Sequence, residues 1–150
     1  MRRIISVLAV AAMLAAMALG AAGAFAKPAN EPLPNTFHHY APEAAHQAII
    51  WSGEIDPRGN PPRVYVTPDV YTNGEQAQQK LAVAVKPDGY FVIPKGRVKN
   101  PQGGTTVKPT CVPGYTDPPC YESQTYLPGG GTEYWTTEPI PVQGLKWVAF

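Results

Sequence analysis

Beyond residue 26 the chain is broken up by proline. All eighteen prolines and twelve of the fourteen glycines of the 150-residue sequence lie there. Proline removes a backbone donor and fixes φ, so it ends helices and is excluded from central strands. That spacing permits short strands joined by turns, with helix scarce. Between the prolines, Tyr, Trp, Val and Ile recur in short runs that suffice for a core.

The first 26 residues differ in kind. Arg2-Arg3, an uncharged apolar run from Ile4, and Ala24-Phe25-Ala26 as a small-x-small site read as a secretory signal peptide, residues 1–26. Residues 4–25 are also long enough to be an uncleaved anchor. The alanine-rich run, the abrupt cleavage site and the proline-rich sequence after it favour removal. No later stretch reads as a membrane span. Two of the twelve basic residues, Arg2 and Arg3, precede the site and no acid does, which leaves ten basic residues against eleven acidic. Such a balance supplies no field for nucleic acid or anionic lipid.

Residues 27–35 read as an extended lead-in, and 36–150 as one small domain. Cys111 and Cys120, in CVPGYTDPPC, read as a disulfide in an exported chain. It would contribute about 2–3 kcal/mol. No His lies near enough in sequence to suggest a catalytic thiol, and the spacing is wrong for paired metal ligands. Residues 95–127, rich in Lys, Pro, Gly and Thr, are the poorest for regular structure. They read as an insertion loop pinned by that disulfide.

Regular elements are expected elsewhere. Thr36 to Tyr40 is a strand, with Phe37 and His39 on one face and His38 and Tyr40 on the other. That alternation makes His38 exposed or structural if His39 faces a site. Glu43 to Trp51 is a short helix entered through Pro42 and ended by Gly53, with Ala45, Ala48 and Ile49 as its apolar face. Arg63 to Thr67 is a strand with Arg63, Tyr65 and Thr67 on one face. Asn73 caps a second helix running to about Val83, with Ala77, Leu81 and Ala84 as its stripe. Gly89 to Pro94 is the most apolar strand and central to the core. Thr132 to Glu138 follows a Gly-rich turn, with Glu133, Trp135 and Thr137 on one face. Leu145 to Phe150 closes the chain as a strand.

Three of these segments carry a resemblance. HYAPEAAHQAIIWSGEI at His39–Ile55, VYVTPDVY from Val64, and GGGTEYWTTEPI from Gly129 occur in that order. A helix follows each of the first two. The set resembles toxin-type ADP-ribosyltransferases of the His-Tyr-Glu or His-Tyr-Asp class. The resemblance implies an α+β fold, in which two small, mostly antiparallel sheets form a split β core with two short helices. It implies NAD as substrate, in a cleft between the sheets. His39 would hydrogen-bond ribose hydroxyls, and Tyr65 would stack on the cationic nicotinamide ring. Glu133 would stabilise the oxocarbenium-like centre as the glycosidic bond breaks. The glycines at 129–131 would let backbone approach the ligand. ADP-ribose would pass to a protein or to water. Ala41-Pro42 departs from the Thr or Ser more usual there and removes a hydroxyl cap.

Other chemistries find less. No HExxH, Gly-x-Ser-x-Gly or P-loop pattern occurs. His38, His39 and His46 have no acid at ligand spacing, so no metal site is expected. The reading that competes is a secreted, non-catalytic binding or structural module on a proline-rich β scaffold.

Overall fold

The structure, a computed structural model, describes residues 31–150. The signal-peptide and anchor readings, and residues 27–30 of the lead-in, lie outside the described residues. The element order is β1 (Thr36–Ala41), α1 (Glu43–Ser52), β2 (Glu54–Ile55), β3 (Val64–Val66), α2 (Gly74–Leu81), β4 (Gly89–Pro94), β5 (Gln102–Thr106), β6 (Thr110–Val112), β7 (Thr125–Leu127), β8 (Thr132–Thr136), β9 (Ile140–Pro141) and β10 (Lys146–Ala149). The fold is α+β, with two short helices and several small antiparallel sheets. Two sheets have three strands, in the orders β1-β4-β10 and β3-β8-β5. Two further ribbons, β2-β9 and β6-β7, make four sheets among the described residues rather than two.

Alternation explains the core. On β4, Gly89, Phe91 and Ile93 point inward, and the strand lies between β1 and β10 as its apolar sequence predicts. On β3, Val64 and Val66 are buried while Tyr65 is exposed. On β8, Tyr134 and Thr136 are buried while Glu133 and Trp135 are partly open. Phe37, Phe91, Ile93, Val64, Val66, Tyr134 and Ile140 meet in one cluster drawn from both three-stranded sheets. Phe37 meets Tyr134 edge-on with ring centroids 5.2 Å apart, a geometry that suits the aromatic quadrupole.

Helix α1 ends as its sequence predicts: Gly53 takes φ +84° and its N–H reaches the Ile49 carbonyl. Its start differs. Pro42 is the N-cap and offers no side-chain bond. The Asp88 carboxylate, from the turn before β4, instead accepts from Glu43 N at 2.8 Å. An anion at a helix N-terminus satisfies an orphan donor and the dipole together. Helix α2 has the expected cap, with Asn73 accepting from Gln76 N. It ends at Leu81, so Ala84 falls outside it and is exposed.

The loop reading of residues 95–127 is corrected. The segment holds a 3₁₀ turn at Lys95–Arg97 and the strands β5, β6 and β7. Strand β5 pairs with β8 through a register shift between Gly103 and Thr105. Gly103 and Gly104 both take positive φ there, which lets a bulge form in a stretch with low strand propensity. Partner strands make this segment regular, and the local composition does not reveal them. The disulfide between Cys111 and Cys120 is present, with sequence separation 9. Cys111 is fully buried, and next to it in sequence Val112 joins Ala82, Val107 and Leu127 in a small second core that ties the β6-β7 ribbon to the end of α2.

Replacing both cysteines by alanine should lower stability by about 2–3 kcal/mol through loop entropy alone. Denaturant melting of the parent and of the double variant measures it. A loss under 1 kcal/mol would mean that the packing around Val112 and Leu127 already holds the loop.

Candidate active site

A backbone bridge sets the site. His38 N donates to Thr67 O at 2.7 Å, and Thr67 N donates to His38 O at 3.0 Å. This joins β1 to the end of β3 and therefore one three-stranded sheet to the other. Side chains that flank the bridge then share one hollow. His39, Tyr65 and Glu133 all line a cavity of about 1070 Å³, slightly above the usual size range for a small-molecule cleft. A second hollow of about 530 Å³, near Asn73, Lys86 and Phe150, contains none of the three.

His39 is held from β3. Its Nδ1 lies 2.9 Å from the Tyr65 carbonyl oxygen. A carbonyl only accepts, so the proton is assigned to Nδ1 and Nε2 is left as an acceptor. Burial lowers the imidazole pKa below its ordinary value, with the Tyr65 bond acting the other way. The ring is therefore neutral near pH 7. His38 is buried at 7 % exposure, not exposed, with its ring edge-on to Tyr90 at 5.2 Å. Burial lowers its pKa too; its backbone makes the bridge, while its side chain also lines the cavity and its buried Nδ1 has no hydrogen-bond partner.

Tyr65 is about half exposed and faces the cavity from β3. Directly across the ladder lies Trp135 on β8. Glu133 sits two residues earlier on the same face of β8, the middle strand of its sheet. Burial raises the carboxyl pKa, and the charge of Arg63 works against that rise. A desolvated carboxylate stabilises a nearby developing cation more than a solvated one does.

The start of β8 is clamped by a residue that no local pattern singles out. Asp69 Oδ2 accepts from Thr132 N at 2.6 Å and from the Tyr71 hydroxyl at 3.0 Å. Tyr40 joins them: its hydroxyl donates to Asp69 O and accepts from Tyr71 N. Burial pushes the Tyr40 pKa up to about 12, so it serves as a neutral donor. Asp69 and Thr132 are far apart in sequence, and no local pattern announces the pair.

The glycines have a different use from the expected one. Gly129 N donates to Gln79 O, Gly131 N to Lys80 O and Gly130 N to Val107 O. Two of these acceptors are the orphan carbonyls at the end of α2. A Cβ on Gly131 would lie 2.4 Å from the Tyr71 hydroxyl and 2.9 Å from Lys80 O. The turn therefore approaches protein backbone, and none of its three glycines lines the cavity.

The far wall belongs to α1. Its expected apolar face is not packed away, because no residue of the helix is fully buried. Ala45 and Ala48 line the cavity, and Ile49 lines it while touching the core. The helix is held instead by His46, whose ring stacks on Trp147 at 3.8 Å. That contact takes His46 away from His38 and His39. Among the described residues no cluster of three His, Cys, Asp or Glu side chains is arranged to hold a metal, and no helix is long and apolar enough to cross a membrane.

Two measurements check this geometry. Asp69→Ala strands two donors and should cost about 3 kcal/mol, while Asp69→Asn, which keeps an acceptor, should cost about 1 kcal/mol. Equal losses in denaturant melts would refute the clamp. For pH, the folded imidazoles of His38 and His39 titrate below 6.5. As pH falls through 6.5 the unfolded chain takes up protons that the folded chain refuses, so stability is full above that value and declines below it. Calorimetry from pH 7.5 to 5.5 should show Tm falling. The fall should be shallower in His39→Gln, whose amide still donates to the Tyr65 carbonyl; an unchanged slope would count against the assignment. Comparison with protein-family models, curated proteins and solved structures finds no match to the chain.

Proposed function

We propose that the chain is an exported ADP-ribosyltransferase-like enzyme that cleaves the nicotinamide–ribose bond of NAD and passes ADP-ribose to a protein or to water. One observation carries the reading. His39, Tyr65 and Glu133, taken from three strands by resemblance alone, line the same nucleotide-sized cavity.

Each side chain suits its part. The half-exposed ring of Tyr65 offers an apolar, electron-rich face to a cationic nicotinamide. The free Nε2 of His39 accepts from a ribose hydroxyl, a task that needs a fixed tautomer and no proton shuttle. Glu133 lies in a partly desolvated position where a carboxylate best offsets positive charge developing at the ribose. The Cys111–Cys120 disulfide fits an oxidising compartment. NAD is scarce outside cells, so a toxin or effector that meets another cell's cytoplasm is the natural setting.

Incubation with NAD while nicotinamide is followed tests the reading. The folded parent should release nicotinamide, and Glu133→Gln should release it at least about 100-fold more slowly. Its Tm at pH 7 should be no lower than the parent's, because the raised carboxyl pKa makes ionisation in the fold a cost above about pH 4.5. Label from NAD that appears on protein separates transfer from hydrolysis. No release from well-folded parent at any concentration would leave the secreted binding module as the reading.

A further inference from the structure

We propose that Arg63 seats the diphosphate of the dinucleotide, on a guanidinium held over the ring of Trp135. A diphosphate is assigned because the cavity is read as an NAD site; the test below separates the two.

Arg63 immediately precedes β3 and lines the cavity with Tyr65. Its guanidinium carbon lies 3.9 Å from the centroid of the Trp135 ring. This cation–π contact holds the guanidinium in place before any ligand arrives, so less side-chain freedom is lost on binding. The fork is not used up internally. Arg63 Nε is buried and has no hydrogen-bond partner. Among the described residues no carboxylate forms an ion pair with Arg63. Arg97 makes the contrast: its two terminal nitrogens donate to the carbonyls of Pro141 and Gln143. A buried donor left unpaired is costly and calls for an acceptor from outside the chain.

The acceptor's chemistry follows from the neighbours. Arg58 and Lys108 also line the cavity, so an anion there meets more than one cation. The acids Glu54, Asp56 and Glu133 line it too, yet none engages Arg63 closely. Glu133 is near enough for the arginine's charge to act on it, though the two are not paired. In NAD the diphosphate hangs from the 5′ carbon of the very ribose whose glycosidic bond would break. A seat for it must therefore lie about one sugar from the carboxylate that faces the bond. Planar guanidinium also matches phosphate oxygens two at a time, which an ammonium does not.

The experiment is calorimetric titration of the folded chain with inorganic pyrophosphate and with ADP-ribose. Three proteins are compared: the parent, Arg63→Lys, which keeps the charge and loses the fork, and Arg63→Met, which loses both. Pyrophosphate and ADP-ribose should bind the parent. Both should weaken at least tenfold in Arg63→Met and at least threefold in Arg63→Lys. Affinity within twofold of the parent in a correctly folded Arg63→Met overturns the assignment, and so does a parent that binds neither probe. If Arg63→Met does not fold, Arg63→Lys decides, and parental affinity there is the overturning result. Nicotinamide release is read separately. A parent that holds pyrophosphate through Arg63 but leaves NAD intact keeps the seat and refutes the enzymatic reading. A parent that cleaves NAD while Arg63→Met keeps its pyrophosphate affinity does the reverse.

Discussion

His38 and Thr67 exchange a pair of backbone hydrogen bonds, and most of the molecule depends on that exchange. It lies between β1, at the edge of one sheet, and the end of β3, at the edge of another. Each edge would otherwise present unpaired donors and acceptors. Once joined at this point, the sheets share Phe37, Phe91, Val64, Val66 and Tyr134 as one core. Close to the bridge, Phe37 enters that core while His39 and Tyr65 line the cavity. The bond from His39 to the Tyr65 carbonyl adds a side-chain tie across the same seam.

A second set of contacts holds the carboxylate. The Gly-rich turn before β8 satisfies the end of α2, while Asp69 satisfies the first N–H of β8 and the Tyr71 hydroxyl. A helix end needs acceptor groups covered, and a strand start needs donors covered. One short stretch meets both needs. Because Gly131 has no side chain, the turn can lie against Tyr71 and Lys80 at a distance that any other residue would prevent. Glu133 is thus placed by backbone on both sides, on the central strand of its sheet.

The cavity stays open because α1 presents small residues to it. Alanine at 45 and 48 gives an apolar wall with little volume, so the helix contributes no buried side chain of its own. Its anchorage comes from the ends and one flank: Asp88 at the start, Gly53 at the finish, and His46 against Trp147. Desolvation in the space so enclosed keeps His39 neutral and makes ionised Glu133 costly. Arg63 supplies the opposing charge.

Much of this was legible from residue order. Period-two alternation gave the faces of β1, β3 and β8, because a pleated strand forces neighbours apart whatever surrounds it. Pro42, Gly53 and Asn73 marked the helix ends, since capping is a matter of a few adjacent backbone groups. The cysteine pair and the central, apolar β4 were local signals as well. The strands inside 95–127 were not legible, because glycine and threonine become a strand only when β8 lies alongside. Nor were the Asp88 cap, the Asp69 clamp or the free fork of Arg63, all of which depend on partners remote in sequence. The sequence by itself determined which side chains share a face along a strand, where α1 starts and stops and where α2 starts, since those follow from bonds between near neighbours. Only the tertiary structure decided that His39, Tyr65, Glu133 and Arg63 line one space, since that follows from a bridge between two sheets that no local rule contains.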